Sequence, residues 1–357
     1  MDNLTRLFRK AKQKLGTGIR EVRDFMNPDD PLLILPYRGF ANQERIYLRG
    51  RVLENENIFD GKSDSEIRNL LDSIKRFETD EIADALVKIE VSGQTFGVKT
   101  DEEGYFILDS AWNAPTQKRE NSWLTADIQL FAKFEKDEDT VTRAQGEIYF
   151  PSRAADYCII ADMDDTVLQT HVTSLFKLKM LYATFLQDAH QRLPMEGIPE
   201  LFNAFVKGDN GKKENPIFYV SNSPWNLYDI LEEFLEVQGI PKGPIMLRDY
   251  GLKPSEDFSG HKMNTISRIL ETYPDLQAIM LGDTAAKDAD FYIDLARKYP
   301  GRIEAIYIRQ TRDTKNARRI ARLIEANSDI TVLLLNESAE MTAHAIENGW
   351  ILPGEKV

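Results

Sequence analysis

The sequence predicts an α/β protein: a unit built on a parallel sheet, preceded by a smaller all-β, sandwich-like unit and an N-terminal helix. Three observations predict this. From Tyr157 onward, short apolar runs alternate with amphipathic helical patterns, the texture of parallel strands linked by crossover helices. Between Leu32 and Phe150, short near-alternating runs follow one another between turn residues, which is the texture of a β-sandwich. Before Asn27, apolar residues recur at helical spacing in a basic segment, as in an amphipathic helix. The expected units are 1–26, 27–150 and 151–357, with the last boundary near Pro151.

Composition narrows the function. The chain has 357 residues, 45 Lys and Arg against 58 Asp and Glu, and a formal net charge of −13. That length buries a full core without staples, and the acidic balance disfavours bulk nucleic-acid binding. The single cysteine, Cys158, excludes an internal disulfide framework and reads as a small core hydrophobe. Neither a run of about 18 apolar residues nor a signal peptide is evident, so the expectation is a cytoplasmic protein.

The N-terminal segment departs from the acidic whole. Residues 1–26 carry seven Lys and Arg against three acids, a local balance of +4, with Leu4, Leu7, Phe8, Ala11, Leu15, Ile19, Val22 and Met26 on an apolar stripe. Peripheral contact with an anionic membrane is one reading of such a helix; packing on the rest of the chain is the plainer one. Asn27-Pro28-Asp29-Asp30-Pro31 ends it.

Strands are then expected at 32–36, 44–52, 85–91, 94–98, 105–108, 123–134 and 142–150, with one helix over 63–77. Gly104, behind Asp101-Glu102-Glu103, suits a hairpin tip. This part shows no catalytic constellation and reads as a structural or binding module. Beyond it, strands are expected at 157–161, 216–220, 278–281, 302–308 and 331–335. Helices are expected at 172–190, 226–238, 262–272, 291–298, 314–325 and 339–348. A parallel sheet of this kind places its ligand site beyond the carboxyl ends of its strands.

The chemistry collects at those ends. Tyr157-Cys158-Ile159-Ile160-Ala161 runs into Asp162-Met163-Asp164-Asp165-Thr166. Residues two apart in extended chain point the same way, so Asp162 and Asp164 share a side. Like charges so placed on a core strand need a cation or a proton between them. The second strand ends in Ser221-Asn222-Ser223-Pro224, where Ser223 suits a helix cap, Pro224 a first turn and Ser221 a hydroxyl donor to an anion. The third ends in Gly282-Asp283, with Asp288 five residues on, and Lys262 falls in the first turn of an intervening helix. Carboxylates from two strands at one edge fit a hard cation such as Mg²⁺, and the lysine can reach a bound phosphate.

These motifs resemble the haloacid dehalogenase superfamily of phosphohydrolases, in order: DMDDT at the first strand, Ser221 at the second, Lys262 on a helix, and Gly282 to Asp288 at the third. A narrower resemblance covers nearly the whole chain. LPYRGF, RIYLRGRVL, IFYVSNSPWNLYDILEEFL, GPIMLRDYG, HKMNTISRIL and GDTAAKDADFY are similar to the actin-patch-protein type of Mg²⁺-dependent phosphatidate phosphatase. Thr284-Ala285-Ala286 depart from that family's usual loop but leave both acids in place.

The resemblance implies a Rossmann-like catalytic domain and a role for each residue. Asp162 is the implied nucleophile and Asp164 the general acid and base, with Ser221 and Lys262 on the phosphoryl oxygens. The resemblance implies that Mg²⁺ is held by Asp162, the Asp164 backbone carbonyl and Asp283, with support from Asp288. The implied reaction is hydrolysis of phosphatidate to diacylglycerol and phosphate. A soluble or protein-borne phosphomonoester is the rival substrate, and an interaction module with a vestigial site is the rival class. Residues 167–215, where the superfamily carries its cap, read as short and helical, which leaves the site open to a phosphate on a large body. Trp225, Leu227 and Tyr228 read as core residues first and as acyl-chain contacts second.

Overall fold

The computed structural model describes residues 32–54, 82–114, 122–131, 142–163, 197–248, 258–284, 288–310 and 314–353. The expected helices over 1–26, 63–77 and 172–190, and the residues Asp164, Asp165 and Thr166, lie outside the described residues.

The first sheet holds β1 (Leu32–Ala41), β2 (Arg45–Glu54), β3 (Leu86–Val91), β4 (Gln94–Lys99), β5 (Tyr105–Ala111), β6 (Trp123–Phe131) and β7 (Arg143–Tyr149). All but one of the expected strands match these within three residues at each end; the first, expected to stop at Pro36, runs on to Ala41. Where the sequence suggested two stacked sheets, the seven described strands form one, in the order β4-β3-β6-β7-β1-β2-β5. It is antiparallel except where β1 runs parallel to β7. Alternation fixes which residues face inward but not which strands pair. Ile34, Leu48, Val52, Val87, Ile89, Phe106 and Ile128 form an apolar core on one face. The opposite face of β2 presents Tyr47, Arg49 and Arg51, two residues apart, toward the second half of the chain.

The second sheet holds β8 (Tyr157–Asp162), β9 (Ile217–Pro224), β10 (Ile245–Arg248), β11 (Gln277–Asp283), β12 (Ile303–Arg309) and β13 (Val332–Leu335). Every pair is parallel and the order is β10-β9-β8-β11-β12-β13. Its helices are α1 (Ile198–Lys207), α2 (Tyr228–Val237), α3 (Phe258–Thr272), α4 (Asp288–Lys298), α5 (Thr314–Glu325) and α6 (Ser338–Glu347). The continuous apolar runs follow from burial on both faces. Tyr157, Ile159 and Ala161 enter one core, and Cys158 and Ile160 enter the other. The four-residue β10 went unforeseen, while α1 falls inside residues 167–215, which read as helical.

The chain starts this sheet at its middle, extends through β9 and β10 to one edge, then returns to β11 beside β8 and builds outward. The order therefore reverses between β8 and β11, and a crevice opens at the carboxyl ends of strands at such a reversal. The first sheet packs on the α2 and α3 side. Tyr37 stacks on Trp225 with ring centroids 4.9 Å apart, and Phe40 meets Phe218 edge-on at 5.6 Å.

Candidate active site

The structure brings four of the singled-out residues into contact or close sequence at the reversal point. Asp162 is the last residue of β8 and Asp283 the last of β11. Asp288 opens α4, where an acid is favoured by the helix dipole. Lys262 lies five residues into α3, deeper than the first-turn position expected. Its ammonium stands 2.7 Å from Asp162 Oδ1 and 3.0 Å from Asp288 Oδ1. All four side chains are buried.

Asp288 is held across the end of β11. Its Oδ2 accepts the Asp283 N–H at 3.3 Å. A Cβ on Gly282 would lie 2.7 Å from that Oδ2 and 2.8 Å from Asp288 Cβ, so only glycine admits the carboxylate here. Arg309, at the end of β12, brings Nη2 to 3.9 Å from Asp283 Oδ2. The sequence reading did not single it out, although a basic residue closing the strand beside an acid-bearing one was the available signal.

The electrostatics follow from the packing. Burial, then the nearby Asp288 carboxylate, push Asp162 up to about 7, against the pull of Lys262. Two buried carboxylates, Asp162 and Asp288, face the Lys262 ammonium, and buried Asp283 faces Arg309 at longer range. Carboxylate oxygens are the ligand type that Mg²⁺ prefers, and a bound cation would relieve their repulsion. Among the described residues no group of three or more His, Cys, Asp or Glu side chains is arranged to hold a metal ion by itself.

Ser221 follows Val220, the register partner of Asp162, and is fully buried. Its hydroxyl oxygen accepts the Ser223 N–H at 2.9 Å. The expected helix cap at Ser223 does not form. β9 runs through Pro224, where Arg248 of β10 pairs with it, and a 3₁₀ turn over Trp225–Leu227 precedes α2 with no side-chain cap. Trp225, Leu227 and Tyr228 are buried in the core, so the core reading holds. His261, beside Lys262, hydrogen-bonds the Ser221 backbone, and burial together with Arg248 lowers it to about 4.

The arrangement defines a class first: an α/β protein that gathers buried carboxylates and one lysine at the carboxyl edge of a parallel sheet. The sequence model described as "Phosphatidate phosphatase APP1, catalytic domain" matches residues 157–310. Through this region the chain is similar to the catalytic domain of APP1-type phosphatidate phosphatases. It is 29% identical over 244 residues to the phosphatidate phosphatase APP1 of Saccharomyces cerevisiae, covering 64% of this chain and 37% of that protein. It is 28% identical over 219 residues to an uncharacterized protein of Schizosaccharomyces pombe, covering 60% of this chain and 34% of that protein. The chain thus spans little more than a third of the length of these relatives. Among solved structures, a Bifidobacterium dentium beta-glucuronidase aligns over 86% of this chain and 60% of its own at 10% identity and a TM-score of 0.24; a likeness of that degree carries no argument.

Proposed function

We propose that the protein is a Mg²⁺-dependent phosphatidate phosphatase of the haloacid dehalogenase type, with a Rossmann-like catalytic domain. The observation that carries this reading is the Lys262 ammonium between Asp162 and Asp288, at the buried end of β8, within the region shared with the family.

Asp162 is the proposed nucleophile: a carboxylate oxygen attacks phosphorus, the bond to the lipid oxygen breaks, and an aspartyl-phosphate forms. Asp164 protonates the departing diacylglycerol oxygen, then takes a proton from the water that hydrolyses the acyl-phosphate. Lys262 and Ser221 orient the phosphoryl oxygens, work done by positioning and charge. Lys262 also favours the ionised form of Asp162, which burial opposes. Asp162, Asp283 and the Asp164 carbonyl, supported by Asp288, are the proposed Mg²⁺ ligands. The ion supplies charge that lets an anionic substrate approach an anionic nucleophile.

Phosphate release from phosphatidate in mixed micelles, with an aryl phosphate assayed in parallel, tests the reading. Chelator-sensitive release from the lipid supports it. Release from the aryl phosphate alone would keep the chemistry and remove the lipid substrate.

A further inference from the structure

A second group of polar side chains, two arginines among them, lies near this centre, and part of it comes from the first sheet. Arg49 of β2 lies with its guanidinium carbon 4.3 Å from the Tyr105 ring centroid and 4.7 Å from that of Trp225. Trp225 directly follows β9, the strand carrying Ser221. Arg248 ends β10 and pairs in register with Pro224, the residue before Trp225. His261 is tied to the Ser221 backbone and is the chain neighbour of Lys262. Both arginines are buried.

Two further details separate this group from a simple packing contact. Among the described residues, buried Trp225 Nε1, an N–H donor, has no hydrogen-bond partner, and leaving such a donor unsatisfied carries a cost that an anion would relieve. Next, Arg51 on the same face of β2 braces Tyr105. Arg51 donates to Asn226 Oδ1 at 3.3 Å and to the Glu103 carbonyl at 2.9 Å, and Tyr105 donates to the same Asn226 oxygen at 2.8 Å. That network fixes Tyr105, and Tyr105 with Trp225 fixes the plane of Arg49. Aromatic stacking engages the faces of a guanidinium, whose donors lie along its edge in a fork that matches phosphate oxygens.

We propose that Arg49, Arg248 and Trp225 form a phosphomonoester-recognition subsite beside the Asp162–Lys262 centre, with His261 linking the two, so that the first sheet takes part in substrate binding. The proposal deepens the phosphohydrolase reading above and rests on it for the location of the reacting phosphate. Two arginines near His261, the chain neighbour of Lys262, suit the dianion of a phosphomonoester better than the monoanion of a phosphodiester. The recognised chemistry is shared by the headgroup of phosphatidate and by soluble monoesters.

Orthophosphate binding to the full chain, followed by ³¹P NMR titration in Mg²⁺ buffer, tests the proposal without requiring turnover. Arg49→Gln and Arg248→Gln should each weaken phosphate binding by about tenfold or more. Arg49→Lys, which keeps the charge and loses the fork, should lose less. Thermal melting confirms that the variants compared are folded, and Arg49→Lys serves if Arg49→Gln is not. KM should rise more than kcat falls on the substrate the wild type accepts, and parallel assays on phosphatidate and an aryl phosphate show which source that is. Unchanged phosphate affinity in folded variants at both positions, or no phosphate binding by the wild type, would overturn the subsite. Phosphate binding that the variants lose in a wild type that hydrolyses neither substrate would support the subsite and contradict the phosphatase reading.

Discussion

Lys262 Nζ lies 2.7 Å from Asp162 Oδ1, and the side chains of the pair are at most 1% exposed. A buried ion pair of this kind is weak evidence for net stability, but removing one partner strands the other. Here the stranded groups would include Asp288 as well, since the same ammonium serves both acids. Lys262→Met should therefore destabilise the fold by about 3–5 kcal/mol. Urea unfolding followed by circular dichroism would measure it, and an unchanged midpoint would contradict the pairing.

Gly282→Ala tests how closely the site depends on the backbone. The added methyl would meet the Asp288 carboxylate and, at 3.0 Å, the Tyr292 ring. Displacing Asp288 removes an acceptor from both Lys262 and the Asp283 N–H. The expected outcome is a loss of phosphatase activity by about tenfold or more, from a misplacement on the order of 1 Å. Activity near wild type would show that Asp288 has another way to reach Lys262.

The junction of the two sheets makes its own prediction. The β1–β2 register shifts between Tyr37 and Phe40, and the Arg38 N–H turns instead to the Tyr228 hydroxyl oxygen at 2.8 Å. Tyr228→Phe keeps the ring against Tyr37 and deletes the acceptor. It should cost about 1–3 kcal/mol, measured by chemical denaturation. A larger loss would mean that the ring itself had moved.

Histidine 261 gives a pH dependence with a definite sign. Its folded-state pKa is lowered from 6.5 to about 4, first by burial and then by Arg248. Between those values the unfolded chain binds the proton and the folded chain does not, so the contribution is fully present above 6.5 and is lost as pH falls toward 4. The loss amounts to at most about 3 kcal/mol. Stability curves at pH 7 and pH 4.5 should converge in His261→Gln relative to wild type, and parallel losses in both proteins would assign the acid sensitivity elsewhere.

Much of this arrangement was legible in the sequence, for physical reasons. Strands buried on both faces read as unbroken apolar runs, so β8, β9 and β11 and the acids or serine at their ends could be placed. The alternation of the first sheet located its strands equally well. Pairing was not legible, because the parallel contact of Gly39 and Phe40 with Ile148 and Tyr149 joins distant segments and leaves no local trace. β10 was too short to signal, and Ser223-Pro224 mimics a helix start while forming extended chain. Arg49 was the most consequential omission. In an alternating strand a charged residue reads as solvent-facing, and only the face's recurrence of Tyr47, Arg49 and Arg51 hinted that another layer covers it.

The central claim is that Asp162 performs the chemistry. The most direct measurement is Mg²⁺-dependent phosphate release from phosphatidate by the wild type and by Asp162→Asn, prepared and assayed side by side. The account predicts release by the wild type that falls to background in the variant while the variant stays folded and still binds orthophosphate. Release by Asp162→Asn at a rate near that of the wild type would contradict it.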